Sequence, residues 1–167
     1  MKASINRVMQ AMIEYDQGDP MRIHHLLKVH TLAALIGECE GLDEATQEIL
    51  EIAALIHDIG IHLAVETYGS AAGQYQEIVG PGEAEAMLTE LGFSQEVIQR
   101  VCFLVGHHHS YDQVDGPDYQ ILLEADLLVN LYDNTISPSD QRKAYRTRFR
   151  TETGKRLCRL MYPATEE

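Results

Sequence analysis

Four ionisable residues stand where the surrounding pattern calls for apolar ones. His25 shares a helical face with Val29, Leu32 or Ala33, and Ile36, the spacing of a buried stripe. His57 and Asp58 follow directly on Ile49, Leu50, Ile52, Ala53, Leu55 and Ile56, the most apolar helical stretch in the chain. Asp126 lies inside Ile121-Leu122-Leu123-Glu124-Ala125-Asp126-Leu127-Leu128-Val129, where any helical rotation gives it apolar neighbours. A carboxylate at the C-terminal end of a helix faces the negative end of the macrodipole, and burying it unpaired costs several kcal/mol. Each site alone has an ordinary explanation, a hydrogen-bonded core histidine or a salt bridge between helices. Three such sites in three separate apolar helices are better explained by one shared cation. Two imidazole nitrogens and two carboxylate oxygens form a sound ligand set for Zn, Mn, Fe, Co or Ni, and spacing does not choose among them.

The elements that must position these residues read as helix after helix. Ser4 is placed to cap a first helix running to about Tyr15, and Gly18-Asp19-Pro20 breaks the chain. Asp19 as N-cap and Pro20 as first helical residue open a second helix, which runs to about Glu40 and stops at Gly41. Asp43 caps a third, apolar nearly all round and therefore central. Residues 59–80 are less regular, interrupted by Gly60, Gly69, Gly73 and Gly80. Pro81 begins the next helix, ended by Gly92, and Ser94 starts another that reaches His107-His108-His109. Residues 110–117 read as a loop, residues 118–134 as a strongly apolar helix, and Ser137-Pro138 opens a polar C-terminal pair. No period-two alternation marks a strand. The expected architecture is all-α, a single-domain helical bundle of about seven or eight helices over residues 1–167, with basic C-terminal helices over about 138–160.

With the elements in place, a resemblance becomes specific. His25, the pair His57-Asp58 and the late Asp126 resemble the H…HD…D signature of the HD-domain metal-dependent phosphohydrolases. His25-Leu26-Leu27-Lys28-Val29 is similar to the family's first block, and Ala53-Ala54-Leu55-Ile56-His57-Asp58-Ile59-Gly60 closely matches its second. Leu104-Val105-Gly106-His107-His108 is the counterpart of its I-x-x-H-H block, with His108-His109 as the alternative register. The similarity covers about residues 20–134. It implies an HD-domain-like bundle with His25, His57, Asp58 and Asp126 holding one divalent metal ion at the centre. It also implies hydrolysis of a phosphoester or phosphoanhydride of a small phosphorylated molecule, often a nucleotide, by metal-activated water. Asp58, His107 and His108 are the implied catalytic residues, the two histidines contacting phosphate or leaving group or acting as general acid.

In one block the chain departs from the family. Two-metal members carry a histidine in an H-E-x-x-G block, and Gln76-Glu77-Ile78-Val79-Gly80 has glutamine in that place. One metal is therefore expected, with Gln76 and Glu77 beside the substrate and Lys28 supplying positive charge together with Arg22 or the C-terminal arginines. The same glutamine supports an alternative: a non-catalytic nucleotide-binding regulatory module that retains fold and metal.

Composition bounds these readings. At 45% apolar and 23% charged residues the balance is that of a globular domain. No apolar stretch approaches the roughly 20 residues of a membrane span, and the N-terminal residues lack a signal-peptide core, so the expectation is a cytoplasmic protein without a membrane partner. The net charge of −13 disfavours nucleic acid as a partner. Cys39, Cys102 and Cys158 form no C-x-x-C pair and read as buried thiols. Of the 13 basic residues, eight fall between Arg142 and Arg159. That cluster reads as a solvated helical face, as the rim of a homodimer, or as a phosphate-attracting wall.

Overall fold

Capping chemistry sets most of the helix boundaries. In the computed structural model, which describes residues 2–166, the Asp19 carboxylate accepts the Arg22 backbone N–H at 3.0 Å and Pro20 fills the first turn of α2 (Pro20–Glu40). That helix ends at Gly41, whose φ of 75° only glycine adopts cheaply. Asp43 accepts the N–H groups of Ala45 and Thr46 and opens α3 (Glu44–Ile56). Ser94 caps α6 (Gln95–Val105) and Ser137 caps α8 (Pro138–Arg148). The first helix, α1 (Ala3–Tyr15), is capped at Lys2 rather than Ser4. Lys2 has extended backbone there, and its amine pairs with Glu44 and Glu48.

Nine α-helices, and no strand, are present among the described residues. The expectation of seven or eight was low because residues 59–80 are more regular than their glycines suggest. They hold α4 (Ile61–Tyr68) and the start of α5 (Gly73–Glu90), so Pro81 lies inside a helix instead of beginning one. An internal proline forfeits a helix hydrogen bond and costs about 3 kcal/mol in an isolated helix. Here packing offsets that cost, since the ring lies against α6, 3.1 Å from where a Cβ on Gly106 would stand. The α5 backbone also passes so close to Gly60 that a Cβ there would come within 2.9 Å of Gly80, and this contact fixes Gln76 against the centre of the molecule.

Helix α3 is the axis of the bundle. It packs on α2, α6, α1 and α7 (Pro117–Asp133), while α5 rests on α6 and carries α4. Leu50, Ile52, Ala53, Ala54, Leu55 and Ile56 are all buried, as their polarity requires. Along α7, every residue from 121 to 126 is buried. Each fully buried Leu or Ile contributes about 1.5–3 kcal/mol, so these two helices hold their backbone rigidly. The remaining helix, α9 (Glu152–Met161), docks on α2 and α7. Its entry is fixed by the buried Glu124 carboxylate, which accepts the backbone N–H groups of Arg150 and Thr151 at 2.6 and 2.9 Å. No helix among the described residues is long and apolar enough to cross a membrane.

Candidate metal centre

The rigid helices deliver their ionisable residues to one point. His25 comes from the first turns of α2, His57 and Asp58 from the turn that ends α3, and Asp126 from the middle of α7. All four are buried. His25 Nε2 lies 3.1 Å from Asp126 Oδ1 and 3.5 Å from Asp58 Oδ2. His57 Nε2 lies 3.4 Å from Asp126 Oδ1 and 3.6 Å from Asp58 Oδ1. His108 enters from the far side, its Nε2 3.3 Å from Asp58 Oδ1.

Hydrogen bonds fix which nitrogen of each ring faces inward. His57 Nδ1 is 3.0 Å from the Ala54 carbonyl and His108 Nδ1 is 2.8 Å from that of Val105. His25 Nδ1 is 3.3 Å from the Asp133 carboxylate. In each case Nδ1–H donates outward and Nε2 points in. None of the three buried Nε2 atoms has a hydrogen-bond partner. Two ligands held at about 2.0–2.2 Å by one metal ion lie about 3–3.5 Å apart, which is the spacing of these nitrogens and oxygens. Donors of His25, His57 and Asp58 lie within 4.8 Å of one another, and so do those of Asp58, His108 and His109. The donor set fits a divalent cation.

Charge tells the same story. Burial alone would raise both carboxyls. The His57 and His108 imidazoles and the Arg22 guanidinium nevertheless hold Asp58 well below the usual carboxylate range, and His57 and His25 do the same for Asp126. Burial opposes a charge on His57, yet Asp58 and Asp126 push its pKa up to about 9. Arg22 Nη1 is bonded directly to Asp58 Oδ2. The carboxylates thus draw positive charge from every side.

The other residues singled out from the sequence take varied places. His107 does not face the centre: its Nδ1 donates to the Phe103 carbonyl at 2.7 Å and its ring stacks on Phe103. Because α6 ends at Val105, the triplet forms a turn, and His107 is turned away from the other two. His108 and His109 are the two beside Asp58. His109 donates from Nε2 to Gln76 Oε1 at 3.2 Å, and burial together with neighbouring His108 lowers its pKa to about 4. The buried Gln76 also donates to the Ala71 carbonyl at 2.6 Å. Glu77 accepts the His109 backbone N–H and the Ser110 hydroxyl, so it holds the histidine turn. Lys28 is paired with Asp133 at 2.6 Å, one residue removed from His25. Away from the centre, His30 bonds Glu51 and His62 meets the buried Asp16 at 3.2 Å.

Two functional neighbours were not foreseen. Asp133 orients His25, and Asn130 donates to Asp126 Oδ1 at 2.9 Å. Both lie on the Asp126 face of α7, four and seven residues on, a spacing visible in the sequence. Asn130, Arg22, His25 and Lys28 line a cleft of about 280 Å³ beside the centre.

Comparison with known proteins agrees with this geometry. The family model described as HD domain matches residues 22–138. A crystal structure described as a predicted HD superfamily hydrolase, from an uncultured Thermotogales bacterium, superposes with a TM-score of 0.65 at 26% identity. The match covers 96% of this chain and 83% of that one. No curated protein matches the chain.

Proposed function

The chain belongs to the HD-domain family, and from that premise we propose that it is a metal-dependent phosphohydrolase acting on a phosphoester or phosphoanhydride of a small phosphorylated metabolite such as a nucleotide. The observation that carries the reading is the convergence of three buried, unpartnered Nε2 atoms on two buried carboxylates. His25, His57, Asp58 and Asp126 would hold the ion, one of the Mn, Zn, Fe, Co or Ni type. A divalent ion there supplies Lewis acidity toward a phosphoryl oxygen and lowers the pKa of a water molecule toward about 7.

The chain's own residues do the rest. Asp133 and the Ala54 carbonyl hold His25 and His57 in the tautomer that presents Nε2. Asn130 fixes the rotamer of Asp126. Arg22, beside Asp58 at the cleft, offers N–H groups to a phosphate oxygen. His108 meets the Asp58 oxygen that Arg22 does not bond and would hold or pass a proton at Nε2, a part the family resemblance gives to His107 as well. Lys28 stands at the cleft rim with its charge partly used by Asp133.

The test is elemental analysis of untagged protein, followed by phosphate release from a panel of phosphoesters and phosphoanhydrides. About one metal per wild-type chain, none in folded His57→Ala/Asp58→Ala, and metal-dependent release support the proposal. A folded wild type that takes up no Mn, Zn, Ni or Fe(II) refutes it. Gln76, committed to His109 and Ala71, favours a second reading in which the site binds a nucleotide without turnover. That reading predicts a nucleotide that raises the melting temperature and is recovered intact.

A further inference from the structure

A second cleft, of about 380 Å³, runs between α7 and α8. It shares Asn130 and Asn134 with the smaller cleft beside the metal centre, so the two adjoin at the C-terminal end of α7. Asn130 also donates to Asp126, and the second cleft therefore begins one hydrogen bond from a proposed metal ligand. Its volume falls in the range of small-molecule sites, about 300–1,000 Å³. Leu127, Leu131 and Ile136 give it an apolar floor, and Lys143 and Arg148 give it a cationic wall.

Those two cations stand without a carboxylate partner among the described residues. Lys2, Arg22, Lys28, Arg100 and Lys155 each pair with a carboxylate. Lys143 and Arg148 form no ion pair among the described residues, although the chain carries 26 acidic residues. Asp140 adds one negative charge to the same cleft at the start of α8, where its carboxylate accepts the Ser137 hydroxyl. The Arg148 guanidinium lies over the Tyr111 ring, 3.8 Å from its centroid, which holds the fork in place while leaving its N–H edge free. Two uncompensated cations match a dianionic phosphate better than a single carboxylate. Both residues lie on α8, beyond position 138, where the family match ends.

We propose that the α7–α8 cleft is a subsite for a second phosphate group, and that the substrate is an organic bisphosphate whose other phosphate is cleaved at the metal centre. This rests on the phosphohydrolase reading of that centre. Asn130 and Asn134, which line the cleft, stand four and eight residues beyond Asp126 along α7 and its C-cap, and at 1.5 Å each this sets the two phosphates on the order of 6–12 Å apart.

The experiment compares binding of adenosine 3′,5′-bisphosphate with that of adenosine 5′-monophosphate and adenosine 3′-monophosphate by calorimetry, using the metal-loaded full chain. Lys143→Gln/Arg148→Gln is the test variant, and Arg146→Gln, an exposed cation on the same helix outside the cleft, is the control. The wild type and the control bind the bisphosphate at least tenfold more tightly than either monophosphate, and the double variant loses that preference. A wild type that binds all three alike, or a double variant that keeps the preference, overturns the subsite. Phosphate release from the same ligands separates the two readings. Preference without release refutes the hydrolase and leaves the subsite standing; release without preference does the reverse.

Discussion

Asp133→Asn tests whether the centre is organised by its outer hydrogen bonds. In the wild type one Asp133 oxygen lies 3.3 Å from His25 Nδ1 and the other 2.6 Å from Lys28 Nζ. The first contact keeps the proton on Nδ1 and so keeps Nε2 bare as a ligand. Losing such a partner lowers metal affinity about 10- to 100-fold. The 3.3 Å separation is long, and the Asp133 side chain is 28% exposed and shared with Lys28. The loss therefore belongs at the low end, about tenfold, or about 1.4 kcal/mol. Asparagine is nearly isosteric, so the fold should be unaffected, and competition with a chelating dye for Zn or Mn reads the affinity directly. Lys28→Met gives a contrast of sign: it removes the competitor for Asp133 and should leave affinity unchanged or tighter. The reasoning fails if Asp133→Asn binds metal within twofold of wild type, or if Lys28→Met loses as much.

Two further predictions concern stability. In metal-free protein the His57 pKa is raised from 6.5 to about 9, because its carboxylate neighbours outweigh the burial that opposes a charge there. A raised histidine stabilises fully below its unfolded value and ceases to do so as pH rises through the folded one. Melting temperature should therefore fall between about pH 6.5 and 9, by the equivalent of roughly 3 kcal/mol at most, and bound metal should remove that slope. A flat profile without metal would count against the pairing. Separately, Glu124→Gln removes the charge that accepts the N–H groups of Arg150 and Thr151 and the Thr151 hydroxyl. It should cost about 2–3 kcal/mol in urea unfolding, and a cost under about 0.5 kcal/mol would mean that this carboxylate does not anchor α9.

What the sequence made legible follows from how local each signal is. The caps at Asp19, Asp43 and Ser94 act within three residues, so they can be read directly. His25, His57, Asp58 and Asp126 are conspicuous because ionisable groups interrupt helices that are otherwise apolar. The histidine triplet was ambiguous because its geometry depends on where α6 stops. One residue of difference in a turn sends His107 to Phe103 and brings His109 to Gln76. Pro81 misled for the opposite reason: its usual helix-starting role is local, whereas its place inside α5 depends on contact with α6. Asp133 and Asn130 looked like the ordinary polar end of a helix. Only the packing of α7 against α2 gives them partners.

The position of Asp58 explains why the centre must be sought by a cation and why the rest of the fold is so rigid around it. The residue follows the C-terminus of α3, where the helix dipole repels an anion, and it is buried beside a second carboxylate. Without metal, a proton on His57 and the guanidinium of Arg22 supply the missing positive charge. The two carboxylates are held by elements buried along the stretches beside them, α3 before Asp58 and α7 around Asp126. A single cation among them would satisfy both carboxylates and the inward imidazole nitrogens together. A divalent ion does so, and it also leaves local positive charge in an otherwise acidic molecule. A chain of net charge −13 repels anions at long range. On the proposed reading, attraction for a phosphate would be assembled at contact, from the metal centre, from Arg22, and from Lys143 and Arg148 on α8.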